Sequence, residues 1–145
     1  MGATIYAYIE YDDAPEYYPA GSVPEPFAQE SDRVIDLTTN VGLSHAKDYV
    51  FLGAIGGPRN PKGLAPLIRP RGLPPNVNWR ISKDFDPQDP MVGWLTPLEI
   101  EAALDHMEIR REELSFGLQV TLDLLQLLGD RLGPERVRFV FEMGD

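Results

Sequence analysis

The chain has 145 residues, 43% of them hydrophobic, with no cysteine and a net charge of −10. That length and apolar content suit a single soluble globular domain rather than a disordered chain. Without thiols there are no disulfides, no thiolate metal sites and no cysteine nucleophile, which fits a reducing cytosol, and the acidic balance repels DNA, RNA and anionic membranes.

The opening Met1-Gly2-Ala3-Thr4-Ile5-Tyr6 carries neither a basic region nor a long apolar run, so no signal peptide is expected. Thr4 to Tyr11 alternates, with Ile5, Ala7 and Ile9 on one face and Tyr6 and Tyr8 on the other, which predicts a strand. Asp12 to Pro26 reads as a loop. Tyr6, Tyr8, Tyr11, Tyr17 and Tyr18 read as strand and core-edge aromatics, or in a sharper reading as a stacking surface for a ligand. Arg33 to Thr38 predicts a second short strand. Ser44 reads as the N-cap of a helix to about Ile55, stopped by Gly56-Gly57-Pro58.

The stretch from Gly56 to Asn78 predicts a long irregular loop, with Asn78 capping a short helix from Trp79 to Phe85. Asp86 to Gly93 reads as another loop. Thr96-Pro97-Leu98-Glu99 is a capping box with proline at the first helical position, and Leu95 and Ile100 are placed as a hydrophobic staple, so a helix is predicted from Pro97 to about His106. Leu114, Leu118, Leu122, Leu125, Leu128 and Leu132 share one face and predict a continuous helix from about Arg111 to Leu132, ended by Gly133-Pro134. Arg136 to Met143 alternates again, placing Val137, Phe139, Phe141 and Met143 on one side of a closing strand. Strands at both ends with helices between them imply an α+β fold, with the first and last strands as candidate neighbours.

Charge is segregated along the chain. No Asp or Glu occurs between Asp48 and Asp84, and that gap holds Arg59, Lys62, Arg69, Arg71, Arg80 and Lys83, a +6 island in a −16 background. Six prolines and four glycines lie between Gly56 and Lys83. Proline orders a loop without regular hydrogen bonding, glycine lets the backbone approach a ligand, and arginine offers a planar fork for phosphate or carboxylate. These are the components of an anion site, for which Arg59, Asn60, Lys62, Arg69, Arg71, Trp79 and Arg80 are the candidates. The plain alternative is that the cations pair with carboxylates elsewhere and hold the loop down. Gly56-Gly57-Pro58-Arg59-Asn60-Pro61-Lys62-Gly63 is neither a P-loop nor a dinucleotide fingerprint.

Other constellations are weaker. Asp84, Asp86 and Asp89 are closely spaced, but the glycine and glutamate of a calcium loop are replaced by Asp89 and Leu95. His45 and His106 have no metal spacing. No metal or cofactor is expected.

Asp48 to Ile55, Pro58-Arg59-Asn60, Pro70-Arg71-Gly72-Leu73-Pro74 and Trp94-Leu95-Thr96 with Glu99 resemble a family of small uncharacterised bacteriophage and bacterial proteins. Members of that family often carry His-Ser-His-Ser before Trp-Leu-Thr, where this chain has Asp89-Pro90-Met91-Val92-Gly93. The resemblance implies no activity and no functional residue. A phage association implies a role by binding.

The sequence therefore reads as a non-enzymatic protein that captures a small anionic, nucleotide-like ligand, sequestration of a nucleotide immune signal being one such role. Trp79, Trp94, Tyr6 or Tyr8 would stack on a base. An acidic interaction or inhibitor module acting on a host protein is the alternative, with self-association also open. A metal-dependent phosphoester or nucleotide hydrolase using Asp84, Asp86 or His106 ranks third, because no nucleophile or acid–base pair is recognisable.

Overall fold

Period-two patterning sets the architecture. The computed structural model describes residues 4–13, 33–37, 48–57 and 60–144. Strands β1 (Thr4–Tyr11), β2 (Val34–Asp36), β3 (Val92–Leu95) and β4 (Val137–Gly144) form one antiparallel sheet in the order β2-β1-β4-β3. The helices are α1 (Tyr49–Ala54), α2 (Trp79–Asp84), α3 (Pro97–His106) and α4 (Phe116–Leu132). The fold is α+β, and β1 and β4 are indeed neighbours at its centre, paired from Thr4 with Gly144 to Tyr11 with Val137.

The inner face carries Ile5, Ala7 and Ile9 from β1 and Val137, Phe139, Phe141 and Met143 from β4, as the alternation predicts. They are buried with residues of α1, α3 and α4, including Phe51, Leu104 and Leu122. The outer face carries Tyr8, Val140 and Val92. Ile81 and Phe85, from α2 and its C-cap, close over it, with Leu73 and Val77 packed alongside. The later part of the basic segment, from Leu73 on, thus covers the second face of the sheet.

Two features bind that cover down. Glu10 and Arg138 are opposed across β1 and β4 and are 1% and 4% exposed. Arg138 Nε and Nη2 donate to Glu10 Oε1 at 2.9 and 2.7 Å, and its Nη1 donates to Pro75 O at 2.7 Å. Glu10 Oε2 accepts the Asn78 N–H at 2.5 Å. Burial pushes the Glu10 carboxyl up and the Arg138 guanidinium down from their usual ranges, and their mutual attraction opposes both shifts. Asn78 in turn caps α2, as expected, by accepting the Arg80 N–H at 2.9 Å.

The capping box of α3 is present as predicted, and the helix has the predicted limits. Two expectations are corrected. The predicted loop from Asp86 to Gly93 runs into a strand, β3, starting at Val92, which pairs with Glu142 of β4. Gly93 hid it: a Cβ there would lie 2.8 Å from both Phe141 Cζ and Pro70 Cα, so the strand needs the residue that strand patterns exclude. The predicted helix from Arg111 to Leu132 is broken. Arg111–Glu113 forms one 3₁₀ turn, Leu114 is extended, and α4 starts after Ser115. Ser115 accepts the Leu118 N–H at 3.3 Å, while buried Asp48 accepts Ser115 N–H and Oγ–H at 2.8 and 2.5 Å. Leucine periodicity runs through the break, and Leu114 is buried although it is extended and not helical. Ser44, Tyr17 and Tyr18 lie outside the described residues.

Arg138→Met should destabilise the fold by about 3–5 kcal/mol in urea titration, because Glu10 is then left buried without its partner. Adding Glu10→Met should recover much of that loss, while deuterium exchange at the Asn78 amide rises because its acceptor is gone.

Candidate functional site

Among the described residues, the basic side chains of the segment are spread over several places on the molecule. Of these cations, Lys62, Arg69 and Arg71 meet different surroundings, while Arg80 and Lys83 share one hollow.

Arg71 is tied down on three counts. Its guanidinium lies 3.8 Å over the Trp94 ring, Nε donates to Trp94 O at 3.1 Å, and Nη2 donates to Glu99 Oε1 at 2.6 Å. The same Glu99 oxygen accepts the Thr96 N–H at 2.9 Å as part of the α3 capping box. Burial works against the Glu99 carboxylate, but the hydrogen bond from Arg71, the Thr96 N–H and the Arg71 charge hold it below the usual carboxylate range. The next residues continue the attachment: Gly72, at φ +81°, donates its N–H to Val92 O at 2.8 Å. Lys62 is paired with Glu113 at 3.7 Å. Arg80 is also engaged, and its charge acts on Tyr8.

Arg69 differs. It is exposed, and among the described residues no carboxylate pairs with it. It lines a hollow of about 340 Å³ together with Gly53, Gly56, Gly57, Asn60 and Gly63. The glycines are needed for close approach. Gly56 has φ +91°, and a Cβ there would sit 2.5 Å from Pro70 Cδ; one on Gly57 would sit 2.6 Å from Leu52 O. The N–H groups of Gly56, Gly57 and Gly63 are committed to the carbonyls of Gly53, Leu52 and Asn60. Asn60 shapes the wall: Oδ1 accepts the Gly63 N–H at 3.2 Å and Nδ2 donates to Leu64 O at 2.5 Å. Arg59 lies outside the described residues, as does His45. His106 Nε2 bonds Ala65 O at 2.9 Å, tying α3 to the same loop.

Trp79 is 47% exposed and lines a separate hollow of about 180 Å³ with Arg80, Lys83 and Asp84. Lys83 Nζ lies 5.9 Å from the centre of its ring. Asp84 accepts the Tyr8 hydroxyl. Burial, that bond to Asp84 and the nearby Asp84 and Asp36 charges raise the Tyr8 phenol well above its ordinary value. Glu142 is also raised, by burial and then by Asp89 and Asp86. Among the described residues no three His, Asp or Glu side chains group to hold a metal ion. No helix there is long and apolar enough to cross a membrane.

A third hollow, of about 280 Å³, lies between α3 and α4. Pro97, Ile100, Leu104, Ile109, Leu122 and Leu125 give it apolar walls, and Glu101, Asp105, Arg111 and Gln126 complete the lining. The sequence reading missed it. The apolar periodicity of both helices was legible, but not the way they pack against each other to leave a hollow.

Comparison with family models, with curated proteins and with solved structures finds no match for this chain. The resemblance carried by Pro-Arg-Gly-Leu-Pro and Trp-Leu-Thr thus assigns no family, and the functional reading rests on geometry. The geometry does give those two motifs a physical connection: Arg71 of the first is the residue stacked on Trp94 of the second.

Glu99 is held below its unfolded value, near 4.3, so its contribution is present above that value and is lost as pH falls through the lower folded value. Arg71→Ala should cost about 1–2 kcal/mol at pH 7, combining an exposed ion pair with a cation–π contact, and less at pH 3 in the same urea assay. Glu142 has the opposite sign: its raised folded value means stability is lost as pH rises through it. Glu142→Gln should therefore stabilise by about 0.5 kcal/mol at pH 7 and have little effect at pH 3.

Proposed function

We propose that this protein is a non-enzymatic binding protein that captures a small anionic ligand in the glycine-lined hollow, with Arg69 as its anchoring cation. One observation carries the reading: Arg69 lines an open hollow without a carboxylate partner among the described residues, whereas Lys62 and Arg71 are each held by one. A guanidinium available in this way favours a phosphate or carboxylate group with matching planar acceptors.

The surroundings narrow the ligand. With the amides of Gly56, Gly57 and Gly63 already bonded, the guanidinium fork is the group that grips the anion. A volume of about 340 Å³ sits near the lower end of the ~300–1,000 Å³ typical of small-molecule sites. It fits a mononucleotide-sized compound better than a dinucleotide. Trp79 belongs to a different hollow, and Trp94 is covered by Arg71, so neither supplies a stacking platform beside Arg69.

Thermal-shift and calorimetric screening with inorganic phosphate, mononucleotides, cyclic nucleotides and short carboxylates tests this. At least one phosphate-bearing compound should raise the melting temperature. Arg69→Ala should weaken its binding by roughly tenfold or more, the scale of a hydrogen bond to a charged group, with the fold intact. Silence across the panel, or binding indifferent to Arg69→Ala, overturns the reading.

A further inference from the structure

The hollow between α3 and α4 is chemically unlike the Arg69 site. Its walls are aliphatic, from Pro97, Ile100 and Leu104 on α3, Leu122 and Leu125 on α4, and Ile109 between the helices. At about 280 Å³ it falls just below the usual range of small-molecule pockets, roughly 300–1,000 Å³. It lies between two packed helices, a setting in which helix-in-groove recognition accommodates the apolar side chains of a third helix.

Charge selects the occupant. Glu101 and Asp105 stand one turn apart on the α3 side, and among the described residues neither has an ion-pair partner. The cation of the lining, Arg111, is already paired with Asp123. The rim thus presents two uncompensated carboxylates, on a chain whose net charge is −10. A second copy of the chain would bring the same negative charge and be repelled, whereas a basic segment would be attracted at long range and fixed in register at the rim. Leu98 lies three residues before Glu101, in the same row along α3 as the two carboxylates, and is 59% exposed, so the rim also carries an apolar side chain near the start of the helix.

We propose that the α3–α4 groove is a docking site for a basic amphipathic helix of a partner protein, whose aliphatic side chains enter the hollow while flanking Lys or Arg residues meet Glu101 and Asp105. The site is independent of the Arg69 hollow.

The probe is a labelled helix-forming Leu/Lys peptide of about 18 residues with leucines at i, i+3, i+4 and i+7 spacing. Two controls match it: a sequence-scrambled peptide of the same composition, and a Leu/Glu peptide of the same pattern. Anisotropy titration of the full chain should show saturable binding of the Leu/Lys peptide, at least about tenfold tighter than either control and weakening with salt. Methyl NMR shifts should centre on Ile100, Leu104, Leu122 and Leu125. The exposed double variant Glu101→Lys/Asp105→Lys, checked for an unchanged melting curve, should lose about tenfold or more of that affinity, while the charge reversal Asp86→Lys on the other side of the sheet should change it less than about twofold. Equal binding of the scrambled peptide, equal binding by the double variant, or shifts centred elsewhere would overturn the proposal. So would sedimentation showing a dimer of this chain that occupies the groove, since the partner would then be a second copy.

Discussion

The hydrogen-bonded pair of Glu10 and Arg138 organises everything on the outer side of the sheet. Two charges placed opposite each other on the central strands are costly to bury, and that cost is offset only if every polar atom finds a partner. Part of that requirement is met by the loop. Pro75 supplies a carbonyl to Arg138, and Asn78 supplies an N–H to Glu10. The loop is therefore positioned at one point along the strands and not merely pressed against an apolar face. From that point Asn78 starts α2, which sets Ile81 and Phe85 over Tyr8 and Val140. Arg138 also lies 5.8 Å from the Trp94 ring, so the clamp borders the Arg71 stack and links β1, β4, β3 and the basic segment.

This arrangement explains how the described cations of a +6 segment come to sit in different places on an acidic protein. Its cations divide between attachment and exposure. Arg71 and Lys62 face carboxylates of the helical side, Glu99 and Glu113, and serve as ties. Arg80 belongs to the Tyr8 and Asp84 environment. Arg69 follows directly from the close approach of Pro70 to Gly56 and Gly93, which fixes the backbone there while leaving its side chain at the surface.

Much of the fold was legible because it rests on local rules. Alternation identified β1 and β4 and their buried faces, Thr96 and Glu99 marked the start of α3, and Asn78 marked the start of α2. What was not legible depends on contacts distant in sequence. β3 is a strand because β4 offers it partners, and its glycine answers to Pro70 and Phe141. The break before α4 depends on Asp48, 67 residues away from Ser115. The candidate site was legible as composition only. Counting charges located the segment, but which arginine is tied and which is exposed depends on where Trp94 and Glu99 stand. Glu10 and Arg138 share a face with Tyr8 and Val140 because strand side chains alternate, yet nothing in either strand alone announces that the two are opposed.

The pairing of β1 with β4 also bears on how the molecule is made. These central strands are separated by well over a hundred residues, so the sheet has no core until the last of its strands has left the ribosome. During synthesis β1 exists with Ile5, Ala7 and Ile9 uncovered and with one hydrogen-bonding edge lacking its eventual neighbour. Closing so long a loop is entropically slow, and proteins built on such distant pairings fold on the slower end of the range for their size. The nascent chain is thus a natural client for factors that shield apolar strands, and its yield should depend on them more than the stability of the finished fold would suggest.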